Sequence, residues 1–95
     1  MAATPTDEIF EIREQAYELA LRVLDAPELR ATLSPDAKKL SARLDVLRSE
    51  LEAQSPATAK QWQLTVSEAL QDLLYAQRES RAVSLRLGRE IRSRR

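Results

Sequence analysis

Gly88 is the only glycine in a chain of 95 residues, and that scarcity restricts the fold more than any other feature. Glycine supplies the positive φ that tight hairpins demand, and a sheet of several strands needs many such turns. Four prolines and four aromatic residues do not make up the deficit, and the β-branched runs that strands favour are missing. The sequence therefore predicts an all-α protein.

Three of the prolines follow a hydroxyl residue at the head of an apolar-periodic stretch: Thr4-Pro5, Ser34-Pro35 and Ser55-Pro56. The hydroxyl can accept a hydrogen bond from an unpaired backbone N–H. Proline at the first helical position gives up an N–H that had no partner there. These pairs predict helices over 5–25, 35–54 and 56–92. Asp25-Ala26-Pro27-Glu28 has the spacing of a further capping box and predicts a short helical turn over 27–33.

The first stretch sets Ile9, Ile12, Ala16, Leu19, Ala20 and Val23 on one side. Phe10, Tyr17 and Leu24 recur every seven residues on its flank, and Asp7, Glu11, Glu14 and Glu18 stand opposite. The second carries a narrow stripe of Leu40, Leu44, Leu47 and Leu51, and the third an inner side of Ala59, Trp62, Val66, Ala69, Leu70, Leu73 and Ala76. The short joint between the second and third predicts an antiparallel hairpin. The expected architecture is an up-down-up three-helix bundle with Trp62, Phe10 and Tyr17 as its largest core side chains. An unbroken third helix would be about 55 Å long, against about 30 Å for the second, at roughly 1.5 Å per residue. Its inner stripe turns polar at Gln77, Ser80 and Ser84. The third helix is thus expected to overhang a bundle core of residues 1–77, with 78–95 as a basic extension that self-association could complete.

The charge changes sign at the same place. Residues 1–77 carry 8 basic and 13 acidic side chains, whereas 78–95 carry 7 arginines against Glu79 and Glu90. Arginine forks onto carboxylates and phosphates, so this end suits an acidic protein surface or a nucleic-acid backbone. Against nucleic acid stand the lack of aromatic residues among the arginines and the acidity of the rest of the chain. The apolar line Val83, Leu87, Ile91 is too thin for a membrane-surface helix.

Protein contact is the expected function: a small helical adaptor, inhibitor, chaperone or subunit of a complex. Its expected contacts are Leu85, Leu87 and Ile91 with Arg86, Arg89 and Arg92, and beside them Leu64 and Tyr75, which fall off the inner stripe. A homo-oligomer is a natural outcome, because the basic end complements the acidic face of the first helix. Nucleic-acid binding through the arginine helix is the alternative.

Catalysis is not expected. Without cysteine or histidine the chain has no thiolate, no imidazole base and no common transition-metal ligand beyond carboxylates. The spacing of Glu8, Glu11, Glu14 and Glu18 resembles that of carboxylate-bridged metal helices, but Glu11, Glu14 and Glu18 lie opposite the apolar stripe and no histidine stands in support. No cofactor is implied. The N-terminal stretch "MAATPTDEIF" shows no secretory signal, and no run approaches about 20 apolar residues, so a cytoplasmic location is expected.

Overall fold

The computed structural model describes residues 4–94. Helices α1 (Pro5–Asp25), α2 (Arg30–Gln54), α3 (Pro56–Gln61), α4 (Gln63–Gln77) and α5 (Leu85–Ser93) account for nearly all of them, with a 3₁₀ turn over Pro27–Leu29 and no strand among the described residues. The all-α expectation holds.

Two of the three hydroxyl–proline pairs act as helix starts. Thr4 accepts a bond from the Asp7 N–H at 3.2 Å, and the Asp7 carboxylate accepts one from the Thr4 N–H at 3.4 Å. Ser55 caps α3 through the Thr58 N–H at 3.3 Å. The third pair does not start a helix, because α2 begins at Arg30 and runs through Pro35. Pro27 opens the 3₁₀ turn that leads straight into α2, so helical bonding is already under way when the chain reaches Pro35. There a proline forfeits one bond, to the Ala31 carbonyl, rather than nucleating a turn. Asp25 caps nothing at this joint: Ala26 occupies the capping position, without a side-chain bond.

Helices α1, α2 and α4 each pack on the other two and enclose one core. Ile9, Ile12 and Val23 enter from α1, Leu33, Leu44, Leu47 and Leu51 from α2, and Val66 and Leu73 from α4. Between these large residues lie Ala16, Ala37, Ala69 and Ala76, all fully buried. With only a methyl at the contact, helix axes can approach to the short end of the usual 8–10 Å. Bonds across the surface of the core hold its helices in register. Glu8 pairs with Arg43 at 2.8 Å between α1 and α2, Arg13 pairs with Glu68 at 2.9 Å between α1 and α4, and Arg30 donates to the Tyr75 carbonyl at 3.2 Å between α2 and α4.

The expected large core residues need correction. Phe10 is 50% exposed, whereas Trp62 and Tyr17 are only partly buried. Ile9, Val23, Leu44, Leu47, Leu73 and Leu87 are the largest fully buried side chains. Aliphatic residues fill the narrow space that close helices leave, and the rings sit at its margins.

The overhanging third helix is also overturned. At Trp62 the helical bonds continue, Trp62 N–H to Thr58 O and Val66 N–H to Trp62 O, so α3 and α4 meet at a bend. Past Gln77 the chain leaves helical geometry, with Arg78 extended at φ −156° and ψ 156°. A non-helical linker, 78–84, then turns the chain back, and α5 lies against α1. The polar positions Gln77, Ser80 and Ser84 mark where the helix ends and the linker runs. An isolated helical overhang would leave Leu87 in water, whereas folding back buries it completely.

Candidate interaction surface at the C-terminal helix

α5 is built from one capping bond and one apolar anchor. Ser84 is 2% exposed, and its hydroxyl accepts the Leu87 N–H at 3.2 Å. Its own N–H donates to the Asp72 carboxylate of α4 at 3.3 Å. This hydroxyl cap was legible in the sequence as Ser84 ahead of Leu85, Leu87 and Ile91, but no proline follows it to draw attention.

The outer clasp is ionic. Arg86 reaches both Glu14 oxygens, at 3.0 and 3.3 Å, while its guanidinium lies 3.8 Å from the centre of the Tyr17 ring. Arg13 bridges the same Glu14 to Glu68. Bonding from Arg86 holds the Glu14 carboxyl below its ordinary value of 4.5. At the other end of α5, Arg94 pairs with Asp25. Of the α1 carboxylates, Glu8 is taken up by Arg43, Glu14 by Arg13 and Arg86, and Asp25 by Arg94.

The Glu14–Arg86 link has a definite pH sense. A lowered carboxyl gives stability that is complete above the ordinary 4.5 and is lost as pH falls through the lowered value. Both side chains are about two-fifths exposed, so the link is modest. Arg86→Lys gives up the forked bond and the stacking on Tyr17, and is expected to destabilise by about 1 kcal/mol at low salt and less at high salt. Urea unfolding at two salt concentrations measures this, and an effect that grows with salt would refute it.

Asp72 behaves oppositely. It is 2% exposed, and burial, aided by the nearby Glu68, raises its carboxyl above the ordinary 3.8; Ser84 and Arg86 pull it back. A raised group contributes stability that is complete below its ordinary value and lost as pH rises through the raised one. Asp72→Asn keeps an oxygen for Ser84 and removes the buried charge. It is expected to raise the melting temperature at pH 7 and to flatten the pH dependence. Asp72→Ala, which leaves the Ser84 N–H buried and unpaired, is expected to cost about 1–3 kcal/mol. Melting curves of the two variants should move in opposite directions.

The candidate residues divide into three groups. Leu87 belongs to the interior and Arg86 is bound to Glu14, so neither stands on a free surface. Tyr75 packs against the core with Arg30 over its ring at 5.1 Å, and Ile91 is half-buried. Leu85, Arg89 and Arg92 lie one helical turn apart on the outer side of α5; Leu85 is 69% exposed and both arginines are exposed. Leu64 on α4 is 68% exposed. Among the described residues Arg78, Arg81, Arg89 and Arg92 form no ion pair.

Sequence reasoning missed a groove beside α5. It is an open space of 900 Å³ lined by Leu24, Tyr75, Val83, Gly88 and Ile91 together with Arg81, Arg92, Glu79 and Ser80. It exists because the linker turns back, which periodicity does not encode. No helix is long and apolar enough to cross a membrane, and no cluster of three carboxylates could hold a metal, among the described residues. No protein-family model, curated protein or solved structure matches the chain.

Proposed function

We propose that the chain is a non-enzymatic helical module that binds another protein, as an adaptor, inhibitor, chaperone or small subunit. The observation that carries this reading is the outer side of α5. Leu85, Arg89 and Arg92 present an apolar side chain and two cations without ion-pair partners among the described residues, on a helix anchored from its other side by the buried Leu87. Exposed apolar residues next to arginine suit protein contacts, where arginine and large side chains dominate the energetics. In this reading the three long helices run up-down-up and the protein works in the cytoplasm. Co-purification from cells tests it: the intact chain captures a partner that Leu85→Asp with Arg89→Glu loses, at unchanged helix content. Capture of the same protein by both forms would sink this reading.

Nucleic-acid binding is the second reading, favoured by the exposed Arg78, Arg81, Arg89 and Arg92 in the last part of the chain. Titration with duplex and single-stranded oligonucleotides at two salt concentrations separates the two, because phosphate contacts weaken steeply as salt rises.

A further inference from the structure

Phe10, Tyr17 and Leu24 share one flank of α1, since fourteen residues bring a helix to within about 40° of its starting direction. The three meet different fates. Tyr17 lies under Arg86, Leu24 lines the 900 Å³ groove, and Phe10 stands 50% exposed. An exposed ring and an open groove with an apolar wall of Leu24, Tyr75, Val83 and Ile91 among polar residues therefore reach the same flank, about 21 Å apart along the axis at 1.5 Å per residue. Their charges are complementary. Phe10 is bordered by Asp7, Glu11 and Glu14, of which Glu11 is exposed and forms no ion pair among the described residues. The groove is lined by Arg81 and Arg92, against the single acid Glu79.

We infer that a second copy of the chain fills the groove, in a two-fold dimer whose α1 helices run antiparallel and whose Phe10 rings each enter the other copy's groove. An isologous interface needs one patch that carries both halves of the complement, and this flank does. Antiparallel pairing seats both rings at once and sets Glu11 of each copy toward the groove arginines of the other. The inference rests on reading this end of the molecule as a protein-binding surface, and names the partner.

Gly88 provides a test that separates the groove from the fold. Its φ is not positive, and a β-carbon built there would stand 3.7 Å from Val83 and 3.9 Å from the Arg92 guanidinium, ordinary contacts with two walls of the groove. Gly88→Leu thus suits α5 as a helix better than glycine does, while its side chain occupies the space meant for Phe10.

Light scattering or sedimentation equilibrium of the full chain, from about 10 µM to about 1 mM, is the measurement. The mass is expected to rise from the 10.8 kDa monomer toward twice that value, with less association at high salt. Phe10→Ser and Gly88→Leu should each weaken association at least about tenfold, with helix content kept. Glu11→Arg and Arg92→Glu should each weaken it alone, and an equimolar mixture of these two variants should restore it. A monomer throughout the range, or a dimer that survives both Phe10→Ser and Gly88→Leu, overturns the inference. A chain that stays monomeric yet still captures a different protein overturns only the dimer, and leaves the interaction-module reading standing.

Discussion

Leu73→Ala is expected to destabilise the protein by about 2.5–5 kcal/mol, the scale of a fully buried leucine truncation. Leu73 is fully buried on α4, and α4 is packed against both α1 and α2. Its loss removes transfer free energy and leaves a cavity that cannot collapse, because the neighbouring helix contacts already rest on alanine methyls. Ala69 and Ala76 on the same side are fully buried and too short to fill the gap, and the close-packed core relaxes only in part around it. A domain of this size has roughly 5–10 kcal/mol in total, so the variant sits near the edge of unfolding at 37 °C. Its thermal midpoint should fall by roughly 10–30 °C, read by circular dichroism. Val46→Ala is the control: Val46 is 48% exposed, and its truncation should stay within about 0.5 kcal/mol. Comparable midpoints for the two variants would show that the core is not where Leu73 places it.

Leu87→Ala is the second large effect, but it should act locally. Leu87 is fully buried and is the only apolar residue of α5 that is, so a cost of about 2–4 kcal/mol falls on a helix of nine residues. A helix this short is not stable alone in water and depends on its docked face. Undocking at the 78–84 linker is therefore cheaper than unfolding the core. Amide protection over 85–93 should drop by at least about 30-fold while the α1, α2 and α4 amides keep theirs. Arg78 and Arg81 are exposed in the linker, so limited trypsin digestion should release the end of the chain faster in the variant than in the wild type. A uniform loss of protection across all helices would mean instead that α5 and the core unfold as one unit.

These two side chains also show what the sequence could and could not disclose. Leu73 was legible, since it sits in the 3.6-residue stripe whose members Val66, Ala69, Leu73 and Ala76 are buried, while Ala59, Trp62 and Leu70 of the same stripe are partly buried. Leu87 looked like part of an exposed contact because it lies beyond Gln77, where the stripe turns polar. Periodicity reports which side of a helix is apolar, but it carries no information about a chain that turns back after the helix ends. The same blindness explains Arg86. Its charge was plain, yet its partner Glu14 lies 72 residues away and is brought to it only by the linker. Pro35 misled for a different reason: a proline early in a helix resembles one that starts it, and α2 starts at Arg30, straight out of the Pro27 turn that read as separate. Leu85, Arg89 and Arg92 were foreseen as candidates and do lie outward; the groove next to them has no signature in the sequence.

The clasp of α5 has a mechanical consequence. Arg94 pairs with Asp25 at the last residue of α1, whereas Thr4 caps its first turn, so the two ends of the described chain sit at opposite poles of a body 42 Å long and 24 Å wide. Anything joined ahead of Thr4 and anything joined beyond Arg94 would emerge on opposite sides. Tension applied through such attachments loads α5 along its length against α1, in shear. Shear requires the Arg86 fork, the Leu87 anchor and the Arg94 contact to yield together, not one after another like a zip. Fluorophores placed at the two poles would begin well apart and separate further as soon as α5 let go.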